Sequence, residues 1–318
     1  MEFNIVLAPD NNYVKHAAAV MASVLTFNSK YIHFWILDEG LSDEHKRKLS
    51  IFDGYSNYKV SFAKINKEEF RGFPESGYIT RAMWYRLKIG TLLPASVTIC
   101  LYLDCDTIVN SDLTELFSTK FGSKCVAAGI DCLYEKFNKN YSRFFDKSHP
   151  YFNSGVLLIN LEQWRRQKIE DKIMTFLKDD PERMKMLDQT ILNIILNGNV
   201  LDFGIRNNFQ FTPKYLGETS YFKRKEEYRN AQKSPQIIHF VGEFKPWKLG
   251  YNAINPYYKL YLSALSKTQW KMSEAEADSF VQRSEKLKKS VFLSLLLRQL
   301  KRKPWWIFRK YFWNRIFL

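Results

Sequence analysis

Apolar positions in the first hundred residues change period in a regular order. "FNIVLAPD" (3–10) is a short apolar run ending in polar residues, which predicts a buried strand. "YVKHAAAVMASVLTFN" (13–28) spaces small and apolar residues at helical intervals. "IHFWILDEG" (32–40) predicts a second strand, "SDEHKRKLSIFD" opens like a capped helix, and "YKVSFAKIN" (58–66) alternates as a third strand. This β-α-β-α-β rhythm predicts a mostly parallel sheet with helices on its faces. "RAMWYRLKIGTLL" (81–93) predicts a further helix, and "VTICLYLDCDTIV" (97–109) the next strand. Then come "CVAAGID" (125–131), the strand-like "GVLLINLEQW" (155–164), a helix around 165–178, and "LDQTILNIILNG" (187–198), a helix closed by glycine. Residues 217–234 are polar and charged and read as a surface excursion or an exposed helix. "QIIHFVGEFKPW" (236–247) predicts a last strand running into a turn. The pattern separates a folded domain, 1–270, from a terminal segment, 271–318.

A chain of 318 residues, 46% hydrophobic and 16% aromatic, can bury a sizeable core and is not a disordered composition. Cys100, Cys105, Cys125 and Cys132 lack zinc-type spacing and sit in strand-like or apolar surroundings, so reduced core thiols in the cytosol are expected. "MEFNIVLAPD" has no basic n-region followed by a long apolar stretch, so no secretory leader is expected there. No apolar run approaches the roughly 18–20 residues that span a bilayer; the longest, "SVFLSLLL" (290–297), is far shorter. The net charge of +15 is unevenly placed. Residues 283–318 carry eleven Lys or Arg against one acid, Glu285, so most of the excess belongs to the terminal segment.

Ligands of open parallel sheets bind beyond the carboxyl ends of the strands, where Asp10 and the pair Asp104/Asp106 both fall. An isolated Asp-X-Asp arises about once by chance in a chain this long, and a turn with two solvated acids is the bland alternative. Two carboxylates facing one way on a strand would repel, and a hard divalent cation is the natural compensator. Cys105 between them should point into the core. His239 ends an apolar strand and is a possible third ligand, although a lone histidine there is more often structural. Lys245, just downstream, could neutralise a departing phosphate. Neither G-x-x-x-x-G-K-[ST] nor G-x-G-x-x-G occurs, so phosphate binding has to rest on metal and lysine. Asn153 also reads as a turn residue, and Asp188 as a helix N-terminal acid.

"APDNNY", "RAMWYRLKIG", "LYLDCDTIV", "YFNSGVLLINLEQW", "LDQTILN" and "HFVGEFKPW", in that order and spacing over residues 3–270, resemble glycosyltransferase family 8. Within it they are most similar to the bacterial lipopolysaccharide or lipooligosaccharide α-galactosyl- and α-glucosyltransferases. The resemblance implies a GT-A type, Rossmann-like α/β domain and retaining transfer of a hexose from UDP-galactose or UDP-glucose with Mn²⁺ or Mg²⁺. It places Asp10 and Asn12 in a uridine-binding loop, and Arg86 at the donor sugar and phosphates. Asp104, Asp106 and His239 become metal ligands. Asn153 and Asp188 would contact sugar hydroxyls, and Gln189 would lie under the reacting carbon. Gly242 and Lys245 would close on the diphosphate, Asp131 would line the acceptor side, and Tyr78 and Arg81 would shape the acceptor pocket. Glutamine is a poor nucleophile, so front-face attack by the acceptor hydroxyl is expected.

The terminal segment interleaves basic residues with Trp305, Trp306, Phe308, Tyr311, Phe312, Trp313 and Phe317. This suits an anionic membrane surface, and so a peripheral protein on the inner face of the cytoplasmic membrane acting on a lipid-linked saccharide acceptor. A folded-back helix covering the core is the alternative, and nucleic acid is not expected as a partner. The competing functional reading is an inactive carbohydrate- or membrane-binding protein on the same fold.

Overall fold

The computed structural model describes residues 2–75, 80–133, 144, 151–211 and 224–302. Ten strands occur among them: β1 Phe3–Leu7, β2 Ile32–Asp38, β3 Tyr58–Lys64, β4 Ile99–Leu103, β5 Thr107–Val109, β6 Val126–Ile130, β7 Phe152–Asn160, β8 Val200–Asp202, β9 Phe209–Gln210 and β10 Ile237–His239. Seven form one sheet in the order β3-β2-β1-β4-β7-β6-β8, and three form another, β5-β10-β9. The pairings from β3 through β2 and β1 to β4 are parallel, whereas β7 runs antiparallel to both β4 and β6.

Alternation along the strands feeds two cores, one on each face of the large sheet. Phe3, Ile5, Leu7, Leu101 and Leu103 face one core, which is filled by α1 (Val14–Phe27). Val6, Cys100, Tyr102, Leu157 and Ile159 face the other. Runs of Ala17, Ala18, Ala19 and Ala22 let α1 lie close to the strands. Asp10 sets the entry to α1: its Oδ1 accepts the N–H groups of Asn12 and Tyr13, both at 2.8 Å. α2 (Asp43–Leu49) is capped as its sequence predicts, with Ser42 accepting from His45 N–H.

Three expectations need correction. Residues 81–93 form 3₁₀ turns, Arg81–Lys88, followed by a short helix, Ile89–Leu92. Trp84, Tyr85, Arg86 and Leu87 are buried consecutively within these turns. The strand read as 155–164 is β7, 152–160. Asn160 ends it by accepting from Gln163 N–H and capping the helix Leu161–Arg166. Finally, the strand read as 97–109 breaks at Asp104, and the chain passes from the large sheet into the small one.

A helix, Glu274–Arg302, follows Trp270. Its Ser284 is fully buried and accepts a hydrogen bond from Asn252 Nδ2 at 3.0 Å, while Tyr258 OH donates to Glu285. This part of the helix therefore rests on the segment 252–258. Trp305 and the aromatic residues beyond it lie outside the described residues. Among the described residues, no helix is long and apolar enough to cross a membrane.

His16 on α1 stacks on Trp247 with ring centroids 3.5 Å apart, and its Nδ1 lies 2.7 Å from Tyr261 OH. The contact ties the loop after β10 to α1. Burial, helped by Lys15, lowers the His16 pKa to about 3. The unfolded chain binds this proton near pH 6.5 and the folded chain does not, so His16 contributes stability above pH 6.5 that is lost as pH falls toward 3. Denaturant titrations should find the protein about 2–3 kcal/mol less stable at pH 4.5 than at pH 7 on account of this residue. His16→Phe should flatten that part of the pH dependence.

Candidate functional site

The break at Asp104 builds the site. Asp104 N–H still donates to Gly155 O on β7 at 2.7 Å, holding the residue to the large sheet. Two residues later, Asp106 O accepts from Phe240 N–H at 2.9 Å, beside β10 of the small sheet. Antiparallel pairing sets Thr107 opposite His239, so the register itself brings the histidine beside Asp106. Cys105 turns into the core as expected. The two carboxylates lie in a connecting turn, where the side-chain alternation of a strand no longer applies.

Ligand atoms of Asp104, Asp106 and His239 all lie within 4.8 Å of one another. His239 Nε2 is 3.1 Å from Asp106 Oδ1 and 3.9 Å from Asp104 Oδ2. Asp106 Oδ1 is buried without a hydrogen bond of ordinary geometry. The space in front of these atoms exists because residue 155 is glycine: a Cβ there would stand 2.2 Å from His239 Cε1 and 2.6 Å from Asp104 Oδ2. Two carboxylates and an imidazole around such a cradle fit a hard or borderline divalent cation. Lys245 Nζ bonds Asp106 Oδ2 and donates to Phe240 O. Burial alone would raise the Asp106 pKa, but the Lys245 ammonium reverses this and holds its carboxyl well below the usual range.

Behind the carboxylates lies Arg86, 5% exposed. Its Nη2 is 2.8 Å from Asp104 Oδ1, its Nε is 3.0 Å from Asp188 Oδ2, and its Nη1 donates to Ser154 O at 2.7 Å. The guanidinium also lies over the Tyr102 ring, whose hydroxyl donates to Asp104. Burial works against its charge, yet Asp104, Tyr102 and Asp188 keep the Arg86 pKa above its ordinary value. Asp188 is raised above its ordinary value by burial, with Arg86 opposing and Asp104 reinforcing. Removing one partner from a buried pair of this kind costs about 3–5 kcal/mol.

A second layer surrounds Gln189. Its Nε2 donates to Asp131 Oδ2 at 3.1 Å and its Oε1 accepts from Ser154 N–H at 3.0 Å. Asp131 Oδ2 also accepts from Asn153 Nδ2 at 3.0 Å. Asn153 Oδ1 accepts from Gly155 N–H and from Asn208 Nδ2. The structure thus brings Arg86, Asp104, Asp106, Asp131, Asn153, Asp188, Gln189, His239 and Lys245 into one network. Asp10 and Asn12 form the turn after β1, and Gly242 forms the turn after β10 at φ 66°. Arg81 pairs with Glu39 and Glu75, and Tyr78 lies outside the described residues. Sequence reading missed Tyr102, Ser154 and Asn208. Of these, Tyr102 and Ser154 lie within quoted motifs, while Asn208 belongs to no recognisable pattern.

Residues 4–249 match the sequence profile described as Glycosyl transferase family 8. General stress protein A of Bacillus subtilis is 28% identical over 273 residues, which cover 84% of this chain and 94% of that protein. A lipopolysaccharide 1,2-glucosyltransferase of Escherichia coli K12 is 28% identical over 294 residues, covering 90% and 84% respectively. The fold is similar to a crystal structure of the galactosyltransferase LgtC in complex with donor and acceptor sugar analogues. The TM-score is 0.71 at 28% identity, covering 86% of this chain and 98% of that one. The architecture is accordingly of the GT-A type.

Gly155→Ala would fill the cradle while adding only a methyl group to β7. If the cradle holds a divalent cation, isothermal titration should find that binding lost, while denaturant melts still show a cooperative fold.

Proposed function

This chain belongs to glycosyl transferase family 8, and from that premise we propose that it is a retaining hexosyltransferase. It moves galactose or glucose from a UDP-sugar to a saccharide acceptor, with Mn²⁺ or Mg²⁺ held by Asp104, Asp106 and His239. The observation that carries this reading is the meeting of those three ligands around the open face of Gly155, directly beside Gln189 and Asp188. An inactive binding protein on this fold would have no need of a buried arginine holding two carboxylates at such a site.

Each residue has a task in that reaction. A bound dication supplies electrostatic stabilisation of the leaving diphosphate. Lys245, on the loop that Trp247 anchors to α1, adds a positive charge on the same side. Asp10 and Asn12, at the turn after β1, are placed to meet the uridine, and Gly242 lets the opposite loop turn toward the phosphates. Arg86 orients Asp104 and Asp188 from below. Asp188 and Asn153 face the donor hexose, and Asp131 borders the acceptor side.

Gln189 is hydrogen-bonded at both ends of its amide, and the Asp188 carboxylate is held by Arg86. Neither is free to attack the anomeric carbon, which favours attack by the acceptor hydroxyl on the face that UDP leaves. The oxygen–carbon bond forms as the carbon–phosphate-oxygen bond breaks, and the hydroxyl proton passes to a departing phosphate oxygen.

The acceptor is proposed to be lipid-linked and the protein peripheral on the inner face of the cytoplasmic membrane. Leu293 and Leu297 are exposed one helical turn apart, close to Lys288 and Lys289, and the sequence beyond Arg302 adds four more basic residues among aromatics. Each basic residue near an anionic surface contributes about 1 kcal/mol.

Incubation with a panel of UDP-sugars should release UDP from UDP-galactose or UDP-glucose only when Mn²⁺ or Mg²⁺ is added. Loss of an outer-shell partner alone costs about 10–100-fold, so Asp106→Asn, which removes a direct ligand, should cost at least ~100-fold. No UDP release with any sugar and either metal would sink the enzymatic reading. Deleting 303–318 should weaken sedimentation with anionic vesicles and leave UDP release intact. Unchanged vesicle binding would remove the membrane role of that segment.

A further inference from the structure

We propose that Asn208 is a positioning residue that holds His239 as its Nδ1–H tautomer and thereby turns the Nε2 lone pair toward Asp104 and Asp106. The inference rests on the reading of those three residues as a divalent-cation site, and it concerns a side chain outside every motif that suggested the site. Asn208 closes the 3₁₀ turn Ile205–Asn208 and is fully buried.

The direction of each amide follows from groups that can act in only one sense. The Asp131 carboxylate accepts at both oxygens, from Leu133 N–H on Oδ1 and from Asn153 and Gln189 on Oδ2. Gly155 N–H, by contrast, can only donate, and it points at the other end of the Asn153 amide at 3.0 Å. These two neighbours fix Asn153 with Nδ2 toward Asp131 and Oδ1 toward Gly155. The Asn208 atom 2.9 Å from Asn153 Oδ1 must then be its nitrogen. Its oxygen is left facing His239 Nδ1 at 3.1 Å, and an amide oxygen only accepts. The imidazole is therefore the donor at Nδ1, and its neutral form carries no proton on Nε2. Gln189 supports the same polarity, since Ser154 N–H fixes its oxygen and leaves its nitrogen for Asp131.

The consequence lies at the other side of the ring. An unprotonated Nε2 stands 3.1 Å from Asp106 Oδ1 and 3.9 Å from Asp104 Oδ2, so three lone-pair-bearing atoms face one another. This arrangement binds a cation without first losing a proton from Nε2. The same chain of bonds runs on through Asn153 to Asp131 and Gln189, joining the cation ligand to the residue under the reacting carbon. Outer-shell partners of ligating histidines commonly act in this way.

The test pairs two variants with a measurement on the wild-type chain. Asn208→Leu removes both bonds, whereas Asn208→Asp keeps an acceptor for Nδ1–H and removes the donor to Asn153. Mn²⁺ affinity, measured by electron paramagnetic resonance on donor-free protein, should weaken ~10–100-fold in Asn208→Leu. It should stay close to wild type in Asn208→Asp, whose hexose transfer nevertheless falls because Asn153 has lost its partner. Nitrogen-15 spectra of the metal-free wild type, taken at a pH where the ring is neutral, should place the His239 proton on Nδ1. A proton on Nε2 overturns the proposal, as does unchanged Mn²⁺ affinity in Asn208→Leu, or equal weakening in the two variants. A wild-type chain that binds no Mn²⁺ refutes the cation site instead, and the tautomer spectrum then decides the proposal by itself.

Discussion

The buried guanidinium of Arg86 is the contact on which the site depends. Asp104 and Asp188 belong to different elements and would repel each other across a poorly solvated gap. One delocalised cation reaches both, and a third arm ties the pair to the backbone of β7 through Ser154. A lysine could offer only a single point of charge, whereas the planar fork serves several acceptors in fixed directions. The aromatic face of Tyr102 and the close carbonyls supply the remaining contacts that a buried charge requires. With Arg86 in place, Asp104 presents one oxygen to the arginine and the other toward His239.

Topology completes what the arginine begins. The chain leaves β4 of the large sheet at Leu103 and enters the small sheet at Thr107, so the turn between them carries both Asp104 and Asp106. The pairing of Thr107 with His239 brings the imidazole beside them. The hydrogen bonds that join the sheets therefore also set the spacing of these three side chains.

Much of this was legible in the sequence. The β-α-β-α-β rhythm and both ends of α1 followed from hydrophobic period and turn residues, and the motif order pointed to the family. The 3₁₀ geometry of Arg81–Lys88 was not legible, because burial on all sides comes from neighbours distant in sequence. Nor was the break at Asp104, since "LYLDCDTIV" is equally apolar on both sides of it and only tertiary pairing divides it between sheets. Asn208 carried no signal of its own. An asparagine near a turn is ordinary, and its partners, Asn153 and His239, lie 55 and 31 residues away.

The reversed direction of β7 has a consequence for how densely the site is furnished. In a wholly parallel sheet, every strand reaches the ligand-binding rim with its outgoing end, and the chain must then climb away through a loop. β7 instead arrives at the rim with its incoming end, so Asn153, Ser154 and Gly155 belong to the strand itself, and Gly155 O accepts from Asp104 N–H just past the last β4 pair. They need no loop to hold them. A single inverted strand thus lets the main chain of the sheet, and not a connecting loop, carry this side of the site.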